Sequence, residues 1–341
     1  MAVNSGTPST RGRDVLVLAI SALVVIAGAA AAKHSPPTAI DAPALTSAAL
    51  PPPLPSGAPP RAMEDLPAED ERAAGCHFID RGFGDYGAWR NLSAREGSPP
   101  ARVLVPAGRA VRPDGSFRLL IHLHGAEPAR KQLAAEGFDL VIAALDAGTG
   151  SHAYERAFTP GPATFDHLVA AVEREVAAVN GLPAARAETI VLSSWSAGYG
   201  AIGPILTRPD PRLAAIVLLD SLYAGYLAGK RTVEHGQIPL FLEAARRARL
   251  GTSAFYLTHT AIGTPGYAST GEVASYLLDE LGVKATPVDA DPHEAHALTR
   301  IFEEGRLVIR GYAGADRDAH CAQLHLLPAI LRETILPGLG R

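Results

Sequence analysis

Short apolar runs recur along the chain after residue 100, and longer stretches with a helical period lie between them. Several runs are almost wholly apolar, as is typical of strands covered on both faces of a sheet. Their length and composition predict strands. The predicted strands are Ala101–Val105, Phe117–Leu123, Leu140–Leu145, Thr189–Leu192, Ala214–Leu219, Ala254–Leu257 and Leu307–Ile309.

The clearest helical period lies in Thr164–Val179, where the apolar side chains form one stripe and the charged ones lie largely opposite. Helices are also predicted over Gly236–Leu250, Thr270–Leu281 and His320–Leu336. Strands that alternate with helices predict an α/β fold with a mainly parallel central sheet flanked by helices. In such a sheet the site lies at the carboxyl ends of the strands.

The first 70 residues follow a different pattern. Val15–Ala32 carries no charge, follows Arg11 and Arg13 and ends in Ala and Gly, which indicates a signal peptide or an N-terminal membrane anchor within residues 1–32. Residues 33–70 are rich in Pro and Ala and predict a disordered linker. The α/β domain is then residues 71–341. We expect export to the periplasm or the extracellular space, or attachment to the membrane through residues 15–32.

Composition narrows the possible functions. The chain has 341 residues, of which 47% are hydrophobic, so it can bury a sizeable core. A net charge of −4 is not the basic footprint of a dedicated nucleic-acid binder, so no nucleic-acid partner is expected. Two cysteines, Cys76 and Cys321, are too few for a Cys-type zinc site. Whether these two cysteines pair in an oxidising compartment is left open.

The sharpest chemical signal is a strand that runs into a cluster of small residues and then into a helix. Ser194, Ser196 and Gly198 match the nucleophile-elbow pattern, with Ser in place of the first Gly. Residues two positions either side of the nucleophile must be small because the turn is tight. Ser196 is therefore the predicted nucleophile. The N–H of Ala197, at the start of a helix, is the predicted donor to an oxyanion.

A second strand ends in His122-Leu123-His124-Gly125-Ala126, upstream of the elbow. With this His-Gly sequence the chain resembles the α/β-hydrolase superfamily, over about residues 102–336. The resemblance implies a second oxyanion-hole N–H from Ala126, or from Gly125 or Glu127. Ala126 replaces the second Gly common in that loop, which puts the loop geometry in doubt.

The resemblance also implies a general base on the loop after the last strand, where His320 lies, with His325 as the weaker candidate. The order Ser, acid, His is expected. Asp220 follows the strand after the elbow, and the next strand ends without a carboxylate, so Asp220 is the predicted acid. Asp291 is the reserve candidate.

The sequence thus predicts an exported serine hydrolase, esterase-like or amidase-like, with a Ser196–Asp220–His320 triad and no cofactor or metal. Its expected substrate is a small molecule or a cell-envelope acyl or peptide group, and His124, Tyr199 and Tyr223 are candidate pocket residues. Two alternatives stay open. One is a non-catalytic cell-envelope binding module on the same fold. The other is a metal-dependent hydrolase using His122 and His124.

Overall fold

The computed structural model describes residues 89–92, 97–106, 108, 110–159, 163–289 and 296–339. The predicted export segment, the linker, Cys76 and Asp291 lie outside these residues. None of the helices that are described has the length and apolar character required to cross a membrane.

One sheet of ten strands is formed by the described residues, in the order β1-β2-β4-β3-β5-β6-β7-β10-β9-β8. Six neighbouring strands, from β4 to β10, pair in parallel, and the edge strands on both sides pair antiparallel. The predicted mainly parallel sheet is confirmed. The strands are β1 Trp89–Leu92, β2 Ala101–Leu104, β3 Ser116–Leu123, β4 Val141–Leu145, β5 Arg186–Trp195, β6 Leu213–Leu219, β7 Ala254–His259, β8 Thr286–Pro287, β9 Leu298–Glu304 and β10 Leu307–Tyr312.

Helices cover both faces of this sheet, as predicted. Alternate residues of β3 point to opposite faces, so Leu119 and Ile121 pack in one core cluster and Leu120 in the other. Helices α2 to α6 pack on the first face, and α1, α7 and α8 pack on the second. The helices are α1 Ala126–Glu136, α2 Ser151–Phe158, α3 Ala163–Asn180, α4 Tyr199–Leu206, α5 Ile238–Arg249, α6 Thr270–Glu280, α7 Arg317–His325 and α8 Leu327–Ile330.

The last predicted helix begins earlier than expected and is broken into pieces. The Asp316 side chain accepts a hydrogen bond from the N–H of Ala319 and caps α7, so the helix starts at Arg317. His320, predicted as the first residue of this helix, therefore lies in its first turn. After α8, a π-helical turn and a 3-10 turn complete the segment.

Candidate active site

Strand β5 ends in the sharp turn that carries Ser196. Ser196 has a φ of 50°, in the left-handed region that residues other than glycine rarely adopt. A 3-10 turn, Ser196–Gly198, leads directly into α4. A Cβ atom on Gly198 would lie 2.1 Å from the carbonyl oxygen of Leu123 on β3, so only glycine fits. The turn has the strand-turn-helix form and the close packing that a nucleophile elbow requires.

Two buried serines, Ser194 and Ser221, form a hydrogen-bonded chain to the turn at Ser196. The Ser221 hydroxyl donates to the carbonyl oxygen of Ser196 at 2.7 Å and lies 2.8 Å from the Ser194 hydroxyl. Because the Ser221 hydroxyl donates its only proton to Ser196, the Ser194 hydroxyl must be the donor in the bond between Ser194 and Ser221. The sequence explained Ser194 only as a small residue and gave no role to Ser221. The structure shows that Ser194 is also linked through Ser221 to the backbone oxygen of Ser196.

Replacing Ser221 with Ala is expected to lower the free energy of unfolding by about 1–3 kcal/mol, because it leaves buried polar partners unsatisfied. Urea denaturation measures this change. The Ser194→Ala change should cost less in the Ser221→Ala background than in the wild type, by at least about 0.5 kcal/mol. Additive losses would show that the two hydroxyls do not act together.

The carboxylate of Asp220 lies at the end of β6 and is fully buried. Its Oδ1 accepts from the Thr260 N–H at 2.9 Å and from the Thr270 hydroxyl at 2.5 Å. Its Oδ2 accepts from the Thr260 hydroxyl at 3.0 Å and lies 2.6 Å from Nδ1 of His320. Thr260 follows β7 and Thr270 begins α6, so two further elements hold the acid in place.

The charge state of this acid follows from those contacts. Burial raises the pKa of Asp220, but the hydrogen bonds from His320, Thr270 and Thr260 and the charge of His320 outweigh it and hold the pKa below its usual value. Asp220 is therefore an ionised acceptor, and Nδ1 of His320 must carry the donated proton. The Nε2 atom is then left with the lone pair that a general base needs.

The indole of Trp195 fixes His320 from the side. The two rings stack with their centroids 4.7 Å apart, and the indole N–H donates to the backbone oxygen of His320 at 3.0 Å. Trp195 also stacks on His124, with centroids 5.4 Å apart. Trp195, directly before Ser196, thus positions the imidazole of His320, a role that the sequence pattern did not reveal.

His122, near the end of β3, and His124, just after it, have different environments. His122 is fully buried, its Nδ1 lies 2.8 Å from the Ser193 hydroxyl, and burial lowers its pKa to about 3. His124 has a φ of 73°, and its Nδ1 contacts the Tyr154 hydroxyl at 2.7 Å. Because the chain turns at His124, the two imidazoles bond different partners. No cluster of three or more potential metal ligands occurs within the described ranges.

The backbone N–H of Ala126 has a partner that the sequence did not anticipate. It donates to the carboxylate of Asp146, 3.2 Å away, which also accepts from the Tyr154 hydroxyl at 3.3 Å. Gly125 has a φ of 66°, and a Cβ there would lie 2.7 Å from the Trp195 ring. The Ala126 N–H expected to bind an oxyanion is thus directed at a carboxylate. The roles of Gly125 and Ala197 as oxyanion donors stay predictions.

Ser196 and His320 open into one cleft of about 960 Å³. Three tyrosines form one wall: the rings of Tyr199 and Tyr223 lie 6.0 Å apart, and Tyr267 meets Tyr223 edge-on at 5.6 Å. Burial raises the pKa of Tyr199 and of Tyr223, so both phenols stay neutral. Tyr267, which the sequence did not single out, belongs to the same wall. The cleft offers a substrate an aromatic, largely apolar surface beside the serine.

Comparison with known proteins gives only distant likenesses. No protein-family model matches the chain, and no curated protein matches its sequence. Solved structures that resemble it include the acylaminoacyl peptidase of Pyrococcus horikoshii, with 12% identity and a TM-score of 0.41. That similarity covers 73% of this chain and 41% of the peptidase, so the chain spans less than half of the peptidase's length.

Two bacterial structures resemble this chain over more of their own length. LpqC, a poly(3-hydroxybutyrate) depolymerase from Bordetella parapertussis, has 13% identity and a TM-score of 0.42. The similarity covers 72% of this chain and 89% of LpqC. The BES protein from Bacillus cereus has 11% identity and a TM-score of 0.43. The similarity covers 74% of this chain and 97% of the BES protein. Since these TM-scores are below 0.5, the function has to come from the residues of this chain.

Proposed function

We propose that this protein is a serine hydrolase that cleaves an ester, amide or peptide bond through an acyl-enzyme intermediate. The observation that carries the proposal is the 2.6 Å contact between the buried carboxylate of Asp220 and His320, which lines the same cleft as Ser196. A nucleophile, a base and an orienting acid are the groups that such catalysis requires. The proposed reaction uses no cofactor.

In the proposed mechanism Asp220 holds the Nδ1–H tautomer of His320 and stabilises the imidazolium that forms. Nε2 of His320 takes the proton of Ser196 while the serine oxygen attacks the carbonyl carbon. The protonated His320 then gives this proton to the leaving group. Water, activated by the same imidazole, releases the acyl group from Ser196.

The developing oxyanion needs donors that already point at it. The N–H of Ala197, next to the nucleophile, is the first proposed donor, and the N–H of Gly125 is the second. Ala126 would serve only if its N–H exchanged Asp146 for the substrate oxygen. The Ala126 assignment is therefore the weakest part of the proposed oxyanion hole.

The tyrosine wall of the cleft favours a substrate with an apolar or aromatic group next to the scissile bond. We also propose that the protein acts outside the cytoplasm, because residues 1–32 have the pattern of an export signal or anchor and residues 33–70 that of a linker. A small external ester or a cell-envelope acyl or peptide bond fits both features.

Labelling of the full-length protein with a fluorophosphonate tests the proposed nucleophile. We expect one adduct, located on Ser196 by mass spectrometry, because only an activated serine reacts with this reagent at a useful rate. The adduct should be absent in Ser196→Ala. The matched control is Ser151→Ala, since Ser151 lines the same cleft and should not be needed for labelling.

The other possible results separate the alternatives. Labelling that persisted in Ser196→Ala would show that the nucleophile is misassigned. No labelling of a folded wild-type protein would favour a non-catalytic binding module. Hydrolysis of simple esters that a chelator abolished would favour a metal-dependent enzyme, whereas the serine mechanism is insensitive to chelators.

A further inference from the structure

A second cavity, of about 680 Å³, lies behind the triad acid and meets the catalytic cleft at Ile262, which lines both. Its walls include the end of β7, one side of α6 as far as Asp279, and strand β9. Thr260, which holds Asp220 by two hydrogen bonds, lines it as well. The mechanism proposed above leaves this cavity unused.

The guanidinium of Arg300 on β9 lies in the wall of this cavity, half-buried. Its Nε–H donates to Nε2 of His259 at 2.9 Å. Its other contacts are long: one to the Ser275 hydroxyl and one to the backbone oxygen of Gly271, both at 3.4 Å. An arginine has five N–H donors, so at least two of them have no acceptor among the described residues.

Arg300 also has no counterion among the residues that the structure describes, since none of their carboxylates forms an ion pair with it. Two acidic residues line the cavity. Glu272 is occupied by the Tyr226 hydroxyl, by Arg231 and by its own helix cap. Asp279 is exposed at the rim, where water screens its charge.

The neighbour of Arg300 cannot neutralise it. His259 donates from Nδ1 to the Thr260 backbone oxygen at 3.0 Å and accepts from Arg300 on Nε2, so its imidazole is neutral. Burial, and next the charge of Arg300, lower the pKa of His259 to about 4. A partly buried cation beside a neutral imidazole is costly unless an anion comes to it.

We propose that Arg300 binds the carboxylate or phosphate group of a small molecule in this cavity. The planar guanidinium matches both groups because each offers two acceptor oxygens to a pair of parallel N–H donors. The hydroxyl of Ser275 accepts from Arg300 and donates to the Gly271 backbone oxygen at 2.8 Å, so it orients the guanidinium and leaves the anion to the free N–H donors of Arg300. The site is distinct from the Ser196 cleft, and its occupation does not depend on the activity proposed for the triad.

Calorimetric titration of the full-length protein tests this site, with inorganic phosphate and acetate as separate probes at constant ionic strength. We expect saturable binding of at least one probe, weakened tenfold or more in Arg300→Gln (a tenfold loss is about 1.4 kcal/mol). The matched control is Arg310→Gln. Arg310 lies on the neighbouring strand, outside the cavity, and its guanidinium is paired with Glu303.

A second measurement avoids the mutation, in case Arg300→Gln does not fold. Phenylglyoxal modifies accessible arginines, and the bound anion should protect Arg300 in the wild-type protein while Arg208, exposed and outside the cavity, stays reactive. Preference for phosphate over acetate, or the reverse, identifies the ligand class. Absence of saturable binding of both probes, or equal binding by wild type and Arg300→Gln, would overturn the proposal.

Discussion

Replacing Asp220 with Asn is expected to lower kcat/KM for an ester substrate by about 10⁴-fold. The acid accepts from His320, Thr260 and Thr270 and has no donor of its own to satisfy. An Asn side chain removes the charge that stabilises the imidazolium. It also places an NH₂ group where every neighbour is a donor, so either the His320 tautomer or the threonine contacts must change.

Steady-state hydrolysis and the fluorophosphonate labelling rate both measure this effect, and both should fall with little change in KM. Asp210→Asn is the matched control, because Asp210 is ion-paired with Arg212 away from the cleft. A loss of less than tenfold in Asp220→Asn would contradict its assignment as the acid. A large loss in Asp291→Asn instead would make the reserve candidate correct.

Replacing Gly198 with Ala is expected to destabilise the fold by about 3 kcal/mol or more, the upper end of the usual cost of overpacking. The new methyl would lie 2.1 Å from the carbonyl oxygen and 2.7 Å from the carbonyl carbon of Leu123. Both atoms are backbone within the central sheet, so no flexible side chain can move aside. Strand β3 and the elbow would have to separate.

Urea denaturation measures this loss, and the separation of the elbow from β3 should also reduce the rate at which Ser196 is labelled. Gly266→Ala is the matched control, since a Cβ there meets nothing within 4 Å. We expect its stability to change by about 0.5 kcal/mol or less, or to rise slightly because the unfolded chain loses freedom. Equal stability of Gly198→Ala and wild type would mean that the elbow does not depend on this close contact.

The contacts of Asp220 show what a local pattern can and cannot indicate. Its position at the end of an apolar strand, between the nucleophile and the histidine, was readable from the sequence. Thr260 and Thr270, which hold it, lie 40 and 50 residues further along the chain. The sequence also shows that no carboxylate follows β7. It does not show that Thr260, which follows β7, donates to Asp220. Only the parallel pairing of β6 with β7 brings the two strand ends together.

Edge elements were missed for a different reason. Strand β9, Leu298–Glu304, is only half-buried and carries charged residues, so it lacks the continuous apolar run that marks a central strand.

Helix α1, Ala126–Glu136, buries small residues and the stems of Arg130 and Lys131, so its periodicity is weak. Helix α7 begins three residues before the predicted start at His320, because the Asp316 side chain caps it.

The sequence by itself determined the parallel α/β sheet and the order of Ser196, Asp220 and His320. Both depend on which residues are apolar and where strands end, and these are local properties. The tertiary structure alone decided that the Ala126 N–H meets Asp146 and that Trp195 stacks on both His124 and His320. It also decided that Arg300 lies in a second cavity, with no counterion among the described residues. Such pairings join residues far apart in the chain, and the packing of the strands and helices selects them.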